Sequence, residues 1–324
     1  MPVYDAANVP DTVGRGTLDP ELEAWLPSGP VLGADVPIAQ GRRDHMQLGV
    51  GPWPSIGAVD TLVLPGPHGS VTVRRHTPGS PASSPSGALV YIHGGGFTYG
   101  TLDEFEVPMR LIAERAGIVT YIVEYQLAPE AKYPVQIEEI EYVVRWLFDN
   151  AAAQGIDPAK IGIGGDSAGG NMTCVIALKL RDQNGPRLAV HVPLFPEAAF
   201  PAGTLAASEN RSGLYLESNG IFEMVRNLVT NTDDVRHPYL TPPERRIPCW
   251  PAAGHPGHQR IRPAAGRRSR LRPQARRGRK RPDLHPQSGP YPRVPAVHPL
   301  LSRLPPGHPR AGRPHQDQDR LTPR

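Results

Sequence analysis

Between residues 88 and 192 the chain alternates two kinds of apolar pattern. Ala88-Leu89-Val90-Tyr91-Ile92 and Ile118-Val119-Thr120-Tyr121-Ile122-Val123 are nearly unbroken apolar runs, as expected of strands covered on both faces. Ile161-Gly162-Ile163-Gly164 and Leu188-Ala189-Val190-His191-Val192 read as two further short strands. Helical spacing fills the gaps, over Val107–Ala116 and Met172–Leu180. A third helix carries Val135, Ile140, Val143, Val144 and Leu147 on one side, with Glu138, Glu139, Glu141 and Arg145 over much of the rest. Strands alternating with helices predict an α/β fold, a mostly parallel sheet flanked by helices on both faces.

The flanks are less regular. Residues 1–60 read as an irregular N-terminal segment with one short helix, in which Asp19 is the N-cap and Pro20 the first helical position. Leu22, Trp25 and Leu26 give that helix an apolar stripe. Ser70-Val71-Thr72-Val73-Arg74 alternates as a half-buried strand does, and Pro78–Gly87 is a Pro/Ser/Gly loop. Residues 200–236, with Ser218-Asn219-Gly220 ahead of Ile221–Val225, form a helical excursion from the sheet. The expected organisation is a cap segment at 1–60 and a core at 61–240, with a cap insertion at about 197–235. A tail at 241–324 follows.

Charge separates the tail from the body. Residues 241–324 hold 18 Arg and 1 Lys against 4 acidic residues, a balance of +15, whereas the first 240 residues stand at −11. The formal total of +4 therefore describes neither part. No apolar run approaches the roughly 18–20 residues of a membrane helix. The start, Met1-Pro2-Val3-Tyr4-Asp5, lacks the basic and apolar stretches of a signal peptide. Two cysteines, Cys174 and Cys249, make neither a disulfide framework nor a metal knuckle. The expectation is a cytoplasmic protein with free thiols, no membrane partner, no metal and no cofactor.

Two motifs carry chemistry. In Gly165-Asp166-Ser167-Ala168-Gly169-Gly170 a Gly-x-Ser-x-Gly pattern is entered by an apolar strand and left by an apolar helix, the context of a nucleophile elbow. Glycines permit the sharp bend that projects the Ser167 hydroxyl from the sheet, and the helix start aims unpaired N–H groups at the same spot. The plain alternative is a glycine-rich turn with an incidental serine. His93-Gly94-Gly95-Gly96-Phe97 follows a strand 74 residues earlier. Its consecutive glycines bare backbone N–H groups of the kind that stabilise a tetrahedral oxyanion. A phosphate loop fits poorly, because the body has no GxxxxGK[ST] and the glycine run is not GxGxxG.

With Leu18–Leu26 and Tyr125-Gln126-Leu127-Ala128-Pro129-Glu130, these stretches resemble the hormone-sensitive-lipase branch of the α/β-hydrolase esterases. The likeness covers about residues 15–240, with Gln126 where that family usually has Arg. It implies an α/β-hydrolase fold with a helical cap, hydrolysis of short-chain carboxylic esters, and a lineage that often forms homodimers. Ser167 is then the nucleophile, and the N–H groups of Gly94, Gly95 and Ala168 form the oxyanion hole. His93 orients the glycine loop and is not the base; Gly96, Gly165, Asp166 and Gly169 support the two motifs. Pro129-Glu130 anchors a loop near the site.

Such an enzyme also needs an acid and then a histidine after the serine. The resemblance implies an Asp-Pro-Leu and a His-Gly-Phe, and neither occurs. Asp283 with His285 or His298 has the right order but lies in Pro/Arg-rich sequence without strand or helix periodicity. A shift of reading frame explains this tail. Moved by one nucleotide, codons for Pro248–Ala253 can encode Leu-Ala-Gly-Leu-Pro-Pro, and those for Gln259–Gly266 can encode Ser-Glu-Phe-Asp-Pro-Leu-Arg-Asp. Pro292-Arg293-Val294 can encode His-Gly-Phe. The rival reading is a disordered basic arm for nucleic acid or anionic surfaces, built on the Arg267–Arg281 cluster. With only Trp250 and Tyr291 as aromatic residues, that tail offers little for base stacking, and nucleic acid is not the expected partner. A chain without acid and histidine also leaves a non-catalytic binding role open. The serine and its helix support an ester hydrolase of impaired activity.

Overall fold

The computed structural model describes residues 19–49, 51–197 and 214–242. All of them fall in one compact unit, Met1–Arg260. The remainder of the tail, including Cys249, Asp283 and the histidines around it, lies outside the described residues.

Six strands form one sheet: β1 (Ala58–Gly66), β2 (Gly69–Thr77), β3 (Ser86–Ile92), β4 (Val119–Glu124), β5 (Ile156–Asp166) and β6 (His191–Leu194). Their order is β1-β2-β4-β3-β5-β6. The hairpin β1/β2 and the β2/β4 pair are antiparallel, and the β4/β3, β3/β5 and β5/β6 pairs are parallel. Parallel neighbours require a crossover, and each is a helix. These are α3 (Glu106–Ala116), α4 (Val135–Asp149) and α5 (Ala168–Asp182). Before the sheet come α1 (Pro20–Trp25) and α2 (Ile38–Met46); after it comes α6 (Ser218–Leu228).

The apolar patterns become two packed faces. On one, Ile140, Val144 and Leu147 of α4 and Met172 and Ile176 of α5 meet Val90, Ile92 and Ile163 of the sheet, all fully or nearly fully buried. On the other, Met109 of α3 packs with Leu89, Tyr91 and Ile122. Each such side chain taken from water contributes about 1.5–3 kcal/mol. α1 starts as its sequence demands, with the Asp19 carboxylate accepting from the Glu21 N–H at 2.9 Å. Its stripe of Leu22, Trp25 and Leu26 is only half-buried.

Four elements differ from the sequence reading. α2 is a helix where an irregular segment was expected, because its apolar content is low. What it buries is Gly41 and His45, and a Cβ on Gly41 would lie 2.9 Å from the Tyr99 ring. β1 was not foreseen either; it is an edge strand with most positions exposed or half-exposed. β5 begins at Ile156, ahead of Ile161, and β6 runs over His191–Leu194 where Leu188–Val192 was expected. Among the described residues β6 is the sheet's other edge, and Val190, Val192, Leu194 and Phe195 in or beside it are 38–56% exposed. Pro193 sits in this edge strand, where a missing N–H is tolerated.

Candidate active site

The site forms at the C-terminal ends of β3 and β5, the end of an α/β sheet at which ligands bind. Ser167 stands between β5 and α5 with φ 51° and ψ −117°, outside the ordinary regions for a residue with a Cβ. The bend is held on both sides, since the Ser167 N–H donates to Leu194 O at 3.0 Å and its carbonyl accepts the Asn171 N–H at 2.9 Å. Ser167 itself is half-buried, whereas Ala168, Gly169 and Gly170 behind it are buried.

Close approach explains the small residues around it. A Cβ on Gly169 would lie 2.0 Å from Ile92 O and 2.6 Å from His93 O, so the start of α5 rests directly on the backbone leaving β3. Gly165 is equally close, 2.5 Å from Ile92 O. The structure thus brings the elbow and the glycine loop together, although they are far apart in sequence. Gly95 has φ 109°, and a Cβ there would meet Tyr99 O at 2.3 Å. At Gly96 the neighbour is Met224 of α6, whose sulfur would sit 2.0 Å from an added Cβ. Met224 belongs to a small cluster with Leu32 and Tyr99, and Leu32 bridges to Leu216. The N-terminal segment and α6 therefore meet over the glycine loop.

Asp166 links the two motifs. Its Oδ1 accepts from the Tyr91 hydroxyl and from the Gly94 N–H, both at 3.0 Å. Burial raises the pKa of this carboxyl, and these two donors oppose the shift. The Gly94 N–H is thereby committed to Asp166, which departs from its expected place in the oxyanion hole. Among the described residues the amides of Gly95, Gly96 and Ala168 have no acceptor.

His93 is sealed beneath the loop, 1% exposed. Its Nδ1 lies 2.8 Å from Gly94 O, and its ring stacks on Tyr125 at 4.3 Å between centroids. The Tyr125 hydroxyl donates to His93 O at 2.9 Å. Burial pushes the imidazole pKa down to about 4, so the ring is neutral at ordinary pH. Farther out, the Arg42 guanidinium of α2 donates to Thr98 O and Ala128 O, each at 3.0 Å, and pairs with Glu130 at 2.7 Å. Cys174, on α5, is a free buried thiol pushed up to about 11 by desolvation.

Sequence reading missed Tyr91, Tyr125 and Glu197. Glu197 follows β6, and its N–H donates to the Ser167 carbonyl at 3.3 Å. Only its position just past a strand end at the site's side of the sheet could have flagged it.

A family model described as alpha/beta hydrolase fold matches residues 89–254. The chain is 31% identical over 243 residues to Carboxylic ester hydrolase LipN of Mycobacterium tuberculosis, covering 71% of this chain and 64% of that one. It is 31% identical over 232 residues to Carboxylesterase NlhH of Mycobacterium tuberculosis, covering 71% and 72%. The match to Esterase LipI of the same organism spans 52% of that relative, so in two of these three the chain covers less than two thirds of the relative's length. Among solved structures, a hyperthermophilic esterase from Pyrobaculum calidifontis superposes with a TM-score of 0.64 at 27% identity, over 70% of this chain and 75% of that one.

Proposed function

The chain belongs to the hormone-sensitive-lipase-like esterase family of the α/β-hydrolase fold, and from that premise we propose that Ser167 is the nucleophile of a carboxylic ester hydrolase acting on small, short-chain esters. The observation that carries this reading is the strained Ser167 backbone at the end of β5, locked through Asp166 to a loop of unpartnered amides.

The chemistry follows from the geometry. Ser167 Oγ attacks the ester carbonyl, and the charge that develops on its oxygen is met by the N–H groups of Gly95, Gly96 and Ala168. Removing one such donor typically costs about 10²–10³ in rate. Gly94 takes a bracing role, its N–H holding the loop to Asp166. The alkoxide leaves, and water resolves the acyl-enzyme. His93 is no base here, since its ring is buried, neutral and turned to Gly94 O.

Turnover is expected to be weak, because the acid and histidine of the family are absent from this frame. A frameshift between about Leu240 and Pro248 accounts for their loss. The family match, which ends at residue 254 and leaves most of the Pro/Arg-rich tail unmatched, supports a break near the end of the core. A binding role without turnover is the second reading, favoured by the same missing residues.

A fluorophosphonate probe separates the readings. Labelling at Ser167, abolished in Ser167→Ala, is expected of an activated nucleophile. An unlabelled chain favours the binding role. Resequencing the gene across codons 240–248 tests the frameshift, and a chain expressed in the restored frame is expected to hydrolyse p-nitrophenyl acetate at least about 10³-fold faster, the scale of a triad's contribution. Wild-type-like turnover by the present chain would refute the impairment.

A further inference from the structure

Tyr91 carries a hydroxyl that its packing does not need. It lies on β3, where its ring joins Leu89, Met109 and Ile122, with the Phe105 ring 6.2 Å away between centroids. Phenylalanine would fill that space equally well. The residue is buried, and a buried hydroxyl costs free energy unless it finds a partner. The partner is at the elbow, where the hydroxyl donates to Asp166 Oδ1 at 3.0 Å. Among the described residues no other side chain donates to that carboxylate.

The glycine loop can be accounted for peptide by peptide. The carbonyl of the His93–Gly94 peptide accepts the Tyr125 hydroxyl at 2.9 Å, and its N–H donates to Asp166 Oδ1 at 3.0 Å. In the next peptide Gly94 O lies 2.8 Å from His93 Nδ1. In the third, Gly95 O accepts the N–H groups of Thr98 and Tyr99 at 3.0 and 2.8 Å. A trans peptide points its N–H away from its carbonyl, so the Gly95 and Gly96 amides are turned away from these local partners. Local bonds thus set the direction of the two amides. Of all the partners only Asp166 belongs to the elbow, so its bond is the one that fixes how far the amides stand from Ser167. The carboxylate is seated closely, since a Cβ on Gly94 would lie 2.3 Å from Asp166 Oδ2.

Resting on the reading of Ser167 as nucleophile, we propose that Tyr91 is a positioning residue of the oxyanion hole: its hydroxyl fixes the Asp166 carboxylate, which in turn sets the reach from the Gly95 and Gly96 amides to the reacting oxygen. Electrostatics agree with the geometry. Burial raises the pKa of the Tyr91 phenol, so it stays protonated and donates to the carboxylate. Burial also raises the Asp166 carboxyl, and the Tyr91 and Gly94 donors pull it back towards the charged form that accepts both bonds.

The test is a double-mutant cycle in the full chain, read by fluorophosphonate labelling of Ser167 with kinact and KI separated. Oxyanion contacts strengthen as charge develops, so Tyr91→Phe is expected to lower kinact about 10-fold and leave KI unchanged. Asp166→Ala is expected to lower kinact about 10²-fold. Adding Tyr91→Phe to Asp166→Ala is expected to slow labelling by less than about 2-fold, because the hydroxyl then has nothing to act through. Tyr121→Phe removes a buried hydroxyl from β4 that lies 3.5 Å from Gln154, and is expected to label like wild type. Circular dichroism melts establish that each variant is folded. Amide exchange over residues 93–97, expected to quicken at least about 10-fold in Tyr91→Phe and not in Tyr121→Phe, gives a reading independent of the Asp166 variant. Tyr91→Phe labelling as fast as wild type, or slowing Asp166→Ala by the full factor seen alone, overturns the assignment and leaves Ser167 as nucleophile intact. No labelling of Ser167 in the wild-type chain overturns both readings.

Discussion

Gly169→Ala is a direct probe of how closely the elbow is seated. A Cβ at this position would lie 2.0 Å from Ile92 O and 2.6 Å from His93 O. Real Cβ atoms do not come within 3.0 Å of such atoms, so the start of α5 must retreat from β3 by about 1 Å. Both clashing atoms are backbone, and Ile92 lies in the centre of the sheet, so no side chain can swing aside. Overpacking of this kind costs about 1–3 kcal/mol of stability, and the fixed oxygens place this case at the upper end. The retreat also moves Ser167 and the Ala168 N–H relative to the glycine loop. A misplacement of that size can cost about 10²-fold in rate. The expected result is a Tm lowered by several degrees and a fluorophosphonate labelling rate reduced about 10²-fold. Gly51→Ala, with nothing within 4 Å of its added Cβ, serves as the neutral control. A Gly169→Ala protein that melts and labels like wild type would show that the elbow does not rest on β3, and the proposed oxyanion hole would lose its geometry.

Two further outcomes concern charge. Arg42→Ala strips the donors from Thr98 O and Ala128 O and is expected to cost about 1–3 kcal/mol in urea unfolding. Glu130→Gln is expected to cost under about 1 kcal/mol, because Glu130 is 64% exposed and the pair is solvent-screened; an equal loss in both would refute the assignment of Arg42 to the carbonyls. Arg42 holds the Glu130 carboxyl down to about 2, so what the pair contributes is present above the ordinary carboxylate range and fades as pH falls towards that value. Glu197 has the opposite sign. Its raised value means that its contribution is complete below the ordinary glutamate pKa and is lost as pH rises through about 7. Glu197→Gln is therefore expected to gain about 2–3 kcal/mol over wild type at pH 8, discounted for partial exposure, and less than about 1 at pH 5. Parallel stability curves for the two proteins would contradict the buried carboxyl.

The edge at β6 bears on the proposed frameshift. Val190, Val192 and Leu194 alternate onto one face of the sheet, the face that α3 covers further along at Leu89 and Tyr91. An exposed apolar edge of this kind is a liability that folded proteins normally cover. Among the described residues nothing covers this edge, as the frameshift we propose would leave it.

Much of the architecture was legible because its cause is local. Short unbroken apolar runs such as Ala88–Ile92, ending in glycines, fit strands buried on both sides, and the α4 stripe fits a helix facing a core. The serine between a strand and a helix was readable for the same reason, as was Asp19 as the cap of α1. α2 and β1 were not, because one buries a glycine and a histidine and the other is largely exposed, so neither carries an apolar period. What only the tertiary structure decided are contacts between distant residues. Gly94 cannot be assigned its role until Asp166, 72 positions away, is found to accept its N–H. Nor does anything in the local sequence mark Glu197, whose standing comes from a bond to the Ser167 carbonyl and from burial. Local patterning determines which segments become strands and helices, but a hydrogen bond or a pKa depends on what the folded chain brings alongside, and that is a property of the assembled sheet.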